Sequence, residues 1–287
     1  MKILVTGNGG FIGTNLMDAL KKKHQVLGID KKFGVDVADL KRLFLVVNKL
    51  LGTPNLIIHL AAQTSRKKSV ENAYQNFIDN VIGTFNICVI AKMFKAKLIF
   101  TSSRYAVPNT DGQQDPYGWS KSVDETMIQN FANNYALEFI TNRIGNVYGI
   151  GQEGSQEAFW IAWFIEASLK NLPITIYGFK GQQSRDMLYI DDLVRLLVDE
   201  VENFDKYKNR LYEVGGGVEN EISLIETLKL LNHNNYTFGD KLPGDSKRLV
   251  FDNKEISAVN GWKPKVGVKE GIDRVLKNIR KRFKNEN

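Results

Sequence analysis

Residues 1–13, Met-Lys-Ile-Leu-Val-Thr-Gly-Asn-Gly-Gly-Phe-Ile-Gly, admit few folds. Ile3, Leu4 and Val5 are a short, wholly apolar run, the pattern of a parallel strand buried on both faces. Thr6 to Gly10 interrupts it, and Phe11, Ile12, Leu16, Met17 and Leu20 resume apolar spacing at a helical period. A strand therefore enters a glycine-rich turn and leaves as a helix. Gly7, Gly10 and Gly13 fall three apart. Without side chains there, the backbone turns tightly, a pyrophosphate can approach the helix N-terminus, and the helix packs closely on the strand. A ligand-free turn would use glycine for conformational reasons alone. The next strand, Gln25 to Ile29, ends in Asp30, about where a carboxylate meets a ribose 2′-hydroxyl in a dinucleotide fold. Dinucleotide binding is thus expected, with NAD favoured over NADP because Asp30 repels a 2′-phosphate. Lys31 and Lys32 follow at once and act in the opposite direction.

The alternation continues. An amphipathic helix is expected from about Asp39 to Leu51, and Asn55 to Ala62 reads as a third buried strand. A long helix is expected over roughly Ser69 to Met93, a fourth strand over Lys97 to Thr101, a helix beginning near Tyr117, and a fifth strand around Phe139 to Thr141. Such an order means an α/β fold, a doubly wound, Rossmann-type parallel sheet. The expected division is a dinucleotide-binding domain over 1–145, to which later segments return, and a smaller interleaved lobe over 146–287. Ligands of such sheets bind outside the carboxyl ends of the strands, which puts Gly7 to Gly13, Asp30, Ala61 and Ser103 along one rim. His59 lies inside an apolar run without a second ligand type nearby, so a structural role is expected over metal or base chemistry.

Composition narrows the classes. The 287 residues include 43% apolar and 25% charged side chains, ordinary for a globular protein. No apolar run is read as long enough to span a bilayer, and the glycines would break the core of a signal peptide. A single cysteine, Cys88, forms no disulfide within the chain, and a reducing cytoplasm is expected. The net charge of +7 is spread over scattered lysine runs without interleaved aromatics, which argues against a nucleic-acid partner.

A second constellation lies at Tyr117-Gly118-Trp119-Ser120-Lys121. Four residues apart on a helix, Tyr117 and Lys121 share a face. An ammonium near a phenol stabilises phenolate and lowers the tyrosine pKa towards that of a general base. Of the ten tyrosines, only Tyr117 has a Lys or Arg four residues on. Ser103, at the end of the fourth strand, completes a candidate set with Tyr117 and Lys121.

These residues carry a resemblance. The chain resembles the extended short-chain dehydrogenases/reductases, in the NAD-dependent nucleotide-sugar epimerase/dehydratase family, nearly end to end. Thr6 to Gly13 is similar to the family's cofactor loop, which implies NAD contacts from Gly7, Asn8, Gly9, Gly10, Phe11, Ile12 and Gly13. Asp36-Val37 resembles its adenine-side contact, His59-Leu60-Ala61-Ala62-Gln63 its third strand, and Asn80-Val81-Ile82-Gly83-Thr84 its fourth-helix signature. The resemblance thereby implies cofactor contacts from Asp36, Val37, Leu60, Ala61, Ala62 and Asn80, besides Asp30, Tyr117 and Lys121. It implies a catalytic triad of Ser103, Tyr117 and Lys121. Arg143 to Gly149 resembles the segment whose asparagine, here Asn146, touches the sugar-nucleotide. Gln182 to Asp192, with Arg185, resembles the segment whose arginine meets the diphosphate, and Gly244-Asp245-Ser246-Lys247-Arg248 brings a second arginine, Arg248. Planar guanidinium forks suit phosphate. Ala158 to Phe164 and Asp245 to Phe251 most resemble the CDP-paratose 2-epimerase subgroup, although the aromatic cluster also reads as core packing of an apolar helix.

The chain departs from the pattern in three places. Val107-Pro108 stands where a Tyr-Gly pair is usual, only fourteen positions separate Ser103 from Tyr117, and Leu242-Pro243 replaces a customary arginine. The activity the resemblance implies is NAD-dependent epimerisation of a nucleotide-diphosphate sugar through a transient ketone, with no metal. A 4,6-dehydratase or ketosugar reductase is the alternative. Arg104 and Tyr105 stand where the dehydratases carry acidic residues, and Asp30 disfavours NADPH. A non-catalytic NAD-binding protein is a further reading. The helices containing Val81, Ile82, Phe85, Ile87, Val89 and Ile90, and Val123, Met127, Ile128 and Phe131, carry apolar residues on more than one face, a surplus to be buried elsewhere. The resemblance, to a family whose members typically pair these two helices across a two-fold axis, implies a homodimer; the alternative is cover by the chain's own smaller lobe.

Overall fold

The computed structural model describes residues 1–285 except 110, 156–158 and 242–245, with side chains described to residue 281. Ala158, Leu242-Pro243 and the Gly244-Asp245 pair therefore lie outside the described residues. The first strand, β1 (Lys2–Thr6), leads through the glycine turn to α1 (Phe11–Lys21), β2 (Gln25–Ile29), α2 (Leu40–Leu50) and β3 (Leu56–His59). Two short helices, α3 (Arg66–Glu71) and α4 (Ala73–Phe77), precede a π-helical turn at Ile78–Ile82 and α5 (Gly83–Phe94). Then come β4 (Lys97–Ser103), α6 (Pro116–Tyr135), β5 (Phe139–Ile144), β6 (Asn146–Tyr148), α7 (Trp160–Lys170), β7 (Ile174–Tyr177) and β8 (Ser184–Tyr189). The remainder is α8 (Ile190–Glu202), α9 (Phe204–Tyr207), β9 (Arg210–Val214), β10 (Glu221–Ser223), α10 (Leu224–Leu230), β11 (Tyr236–Gly239), β12 (Arg248–Leu249), α11 (Lys254–Asn260) and α12 (Val268–Asn285).

The chain divides into two compact units, 1–144 with 194–213, and 145–193 with 214–287. The first is built on a six-stranded sheet of order β2-β1-β3-β4-β5-β9. Strands β1 to β5 pair in parallel, with β1 between β2 and β3. The chain goes outward from β1 to β2, then crosses back to β3, so the topological switch point falls between β1 and β3. Ligands of open α/β sheets bind at that crevice. Leu4, Ile57, Leu98 and Phe100 pack with Leu43, Val47, Ile87, Ile90 and Ile128 from the helices in one core. The near-continuous apolar strands are what a sheet covered on both faces requires. The second unit holds β6, β10 and β12 in one sheet with β8, and pairs β7 with β11.

Three expectations are corrected. The third strand ends at His59, not at Ala62. The long helix over 69–93 is broken at Asn72, whose backbone leaves the helical region and whose side chain accepts from the Gln75 N–H to restart α4. Asparagine competes with the helix by exactly this local bonding in turns and caps. The run Ala73–Phe94 is, contrary to expectation, long and apolar enough to cross a membrane by length and composition, and half of it is buried within the fold.

Candidate active site

The glycine turn is a cradle defined by close backbone approach. Gly7 has φ +73°, and a Cβ there would meet the Ala61 nitrogen at 2.7 Å, so the ends of β1 and β3 touch at the switch point. A Cβ on Gly13 would lie 2.2 Å from the Gly7 carbonyl oxygen. Gly10 begins α1 in extended conformation, and no side chain caps the helix. The first-turn N–H groups are left to an external acceptor, for which a phosphate is suited by geometry and by the helix dipole. Asn8 contributes a buried amide oxygen that has no partner among the described residues.

At the end of β2, Asp30 accepts from the Gly9 N–H at 3.0 Å and from the Lys32 N–H at 2.8 Å, which anchors the carboxylate against the turn. The two lysines after it are committed elsewhere. Lys31 lies 3.0 Å from Asp36 and 3.1 Å from Asp79, and these carboxylates hold its ammonium above the ordinary lysine range. The Lys32 ammonium donates to the Gly9 carbonyl. Asp36 also accepts from the Ala38 N–H. Val37 differs in placement: its side chain is part of the hydrophobic core, against Gly83. After β3, the Leu60 N–H reaches the Thr6 carbonyl and the Ala61 N–H the Thr6 hydroxyl, each at 3.2 Å, and Leu60, Ala61 and Ala62 are half-buried. Asn80, in the π-helical turn, spends its amide on the chain itself. It bonds the Gln63 backbone in both directions, at 2.7 and 3.1 Å, and the Ser120 hydroxyl at 2.9 Å. Asn80 thus fixes the loop after β3 to α6. A free helix end, an orphaned buried amide oxygen and an anchored carboxylate are the donor and acceptor set that a dinucleotide needs, and the residues fit NAD.

Ser103, Tyr117 and Lys121 come together at the carboxyl end of β4. Ser103 closes β4, accepts from the Tyr105 N–H at 3.3 Å, and hydrogen-bonds the Tyr117 phenol. Asp115 caps α6 through the Gly118 N–H, and the Tyr117 N–H donates to Ser69. The short connection between β4 and α6 is tightly tied. Asn109 accepts from the Asp111 and Gln113 N–H groups, and Gln114 donates to the Tyr105 and Ala106 carbonyls. A Cβ on Gly118 would strike the Tyr105 carbonyl oxygen at 2.3 Å, so only glycine lets α6 start this close. The Tyr105 ring stands edge-on to Tyr117 at 6.4 Å and lies 4.4 Å below the Arg66 guanidinium, itself paired with Asp115.

Lys121 is 3% exposed, with its ammonium 3.3 Å from the Thr101 carbonyl oxygen and 4.5 Å from the Phe100 ring centre. Here the structure differs from the expected lowering of the tyrosine pKa. Burial pushes the Tyr117 phenol up to about 12; the bond to Ser103 opposes that rise, while the charges of Tyr105, Asp115 and Asp124 add to it. Desolvation disfavours phenolate more strongly than the chain's own groups stabilise it. His59 is buried between Thr6, 2.7 Å from Nδ1, and Thr84, 3.1 Å from Nε2. Burial, then the charge of Lys121, pushes it down to about 3, so it remains a neutral bridge.

In the second unit, Asn146, Arg185 and Arg248 fall on one sheet. Asn146 pairs in register with Met187 of β8, and Arg248 with Ser184. Among the described residues the buried Asn146 amide nitrogen has no hydrogen-bond partner. Arg185 is buried and donates to the Ser184 carbonyl, whereas Arg248 is held by Glu221 through two bonds of 2.9 and 2.7 Å. In α7, Ile161, Ala162 and Phe164 are buried, so that apolar stretch is largely core packing.

The sequence reading missed Asp124 and Glu125, which follow Lys121 by three and four positions. Glu125 receives the Arg143 guanidinium through bonds of 3.0 and 2.6 Å and the Ser102 hydroxyl at 2.5 Å. Their helical spacing from Lys121 was the available signal.

The chain's similarities agree with this geometry. The family model described as "NAD dependent epimerase/dehydratase family" matches residues 3–215. A putative UDP-glucose 4-epimerase of Methanocaldococcus jannaschii is 31% identical over 96% of this chain and 97% of that protein. A CDP-paratose 2-epimerase of Salmonella typhi is 26% identical over 96% of this chain and 98% of its own length. Among solved structures, the UDP-glucose 4-epimerase of Thermus thermophilus in complex with NAD superposes with a TM-score of 0.85 at 26% identity, covering 98% of this chain and 99% of that one. With a family match over most of its length, and relatives aligned nearly end to end, the chain belongs to the NAD-dependent epimerase/dehydratase family.

Proposed function

We propose that the protein is an NAD-dependent epimerase of a nucleotide-diphosphate sugar, inverting one carbon through a transient ketone. The observation that carries this reading is the convergence of Ser103, Tyr117 and Lys121 at the end of β4, in the same unit as the glycine turn. Tyr117 takes the proton of the sugar hydroxyl and returns it after inversion. Ser103 donates a hydrogen bond to that same oxygen, and Lys121 supplies positive charge to Tyr117 and holds the nicotinamide ribose. The turn from Gly7 to Gly13 holds the pyrophosphate and Asp30 the adenosine ribose. NAD, when bound, accepts and returns the carbon-bound hydrogen, and its oxidised ring adds the positive charge that favours phenolate.

The 1–145 region serves as the NAD-binding domain and the 146–287 region mainly as the substrate lobe, where Asn146, Arg185 and Arg248 engage the nucleotide diphosphate. Arg248 must exchange Glu221 for phosphate to do so. Tyr105 and Arg104, in place of acidic residues, favour epimerisation over dehydration. A cytoplasmic homodimer fits the single buried cysteine and the apolar surface of α5 and α6.

The test is to incubate the protein with UDP-, CDP- and dTDP-linked sugars in deuterated water and follow the products by NMR. Inversion without deuterium at the inverted carbon is expected, because the hydrogen is carried internally. Deuterium at that carbon, or no conversion of any sugar, would sink the reading.

A further inference from the structure

A fully buried carboxylate stands beside the lysine and has no part in the roles above. Asp124 follows Lys121 by three positions on α6, and its Oδ2 lies 3.8 Å from Nζ. Its exposure is zero, and among the described residues Thr84 and Lys121 are the polar side chains nearest its carboxylate, neither at ordinary hydrogen-bond geometry. The groups facing the pair come from every neighbouring element. From α5 there are Thr84 and Cys88, the latter pushed up by burial and by the charge of Asp124. From β3 there is His59, held neutral, and from β4 the Thr101 carbonyl and Phe100 ring. Tyr117 and Glu125 share α6, and the field at Tyr117 also includes Tyr105 and Asp115. Of the nearest anions, Glu125 is already taken by Arg143 and Ser102. Asp124 is left to face the ammonium.

Burial by itself favours the neutral amine of Lys121, and a neutral amine cannot supply charge to a phenol. We propose that Asp124 is the counter-ion that keeps Lys121 protonated, a positioning residue that maintains the positive charge beside Tyr117 in the reaction proposed above. Burial also pushes Asp124 up, with Lys121 and Thr84 opposing the rise and the charge of Glu125 adding to it, so the two groups titrate as a pair.

The test is an NMR titration of protein carrying 13C at the lysine Cε, with the Lys121 signal assigned by its loss in Lys121→Arg. In Asp124→Asn the Lys121 midpoint is expected to fall by about one to three pH units, and in Asp124→Glu to recover most of that fall. The kcat profile of Asp124→Asn gains a descending alkaline limb at the new midpoint. A midpoint that does not move, or a profile of unchanged shape, overturns the inference. Should Asp124→Asn fail to fold, the unmutated chain and Asp124→Glu decide: in both, the Lys121 signal is expected to stay that of the ammonium through neutral pH, and a neutral amine there overturns the inference. The titration needs no substrate, so absence of turnover on every sugar counts against the enzymatic reading alone.

Discussion

Glu200 of α8 accepts a 2.8 Å hydrogen bond from the Asn142 amide of β5, and both side chains are wholly shielded from water. Burial pushes the carboxyl up from its ordinary 4.5 to about 8; the Asn142 bond opposes this and the Asp199 charge adds to it. The folded chain therefore binds a proton that the unfolded chain releases. Its stabilising contribution is complete below about 4.5 and is lost as pH rises towards about 8. Thermal unfolding followed across that interval is expected to show a falling midpoint. Glu200→Gln, which keeps the bond from Asn142 but cannot ionise, is expected to flatten that fall. An equal slope in both proteins would show that Glu200 is not its source.

At the expected ribose site Asp30 is not paired with Lys31, which is drawn away to Asp36 and Asp79. NAD is expected to bind at least about tenfold more tightly than NADP, a difference near 1.4 kcal/mol. Asp30→Ala should narrow the gap from both sides, losing a ribose acceptor and a repulsion. Calorimetry that finds NADP binding as tightly to the unmutated chain contradicts the assignment.

Tyr117 is bonded to Ser103 through its phenol oxygen, so Tyr117→Phe removes that oxygen while leaving the packing of the ring largely intact. Turnover is expected to fall by about 10²–10⁴-fold, the usual contribution of general acid–base catalysis, with NAD affinity little changed. Activity within tenfold of the unmutated enzyme would falsify the role given to Tyr117.

The paired-helix surface makes the quaternary prediction. On α5 Phe85 is 43% exposed and Met93 is also exposed, and on α6 Val123 and Met127 line a shallow apolar groove with Thr126. Other members of the expected surplus, Val81, Ile87, Ile90, Ile128 and Phe131, are buried within the protomer. Light scattering at micromolar concentration is expected to return twice the 32.5 kDa protomer mass, and Phe85→Lys with Met127→Lys to return the protomer. A protomer mass for the unmutated chain decides against the dimer.

What the sequence determined by itself is local. Gly7, Gly10 and Gly13 lie within one turn, so their spacing already specifies a strand entering a helix. Tyr117 and Lys121 are one helical turn apart and share a face wherever that helix packs. The apolar runs of β1, β3 and β4 announce a sheet covered on both sides, and that reading survives with only its element ends adjusted. What tertiary structure decided depends on partners far away in the chain. That Asn80 fixes the loop after β3 to α6 follows only from Gln63 and Ser120, 17 and 40 residues away, which bond its amide. Val37 follows Asp36 in sequence but is directed into the core. The protonation of Tyr117, Lys121 and Asp124 depends on how completely β3, β4 and α5 exclude water from α6. Hydrophobic period and turn chemistry are short-range and can be read along the chain. Desolvation is set by the whole enclosing volume, and it is the largest cause that lifts the Tyr117 phenol when residue spacing points the other way.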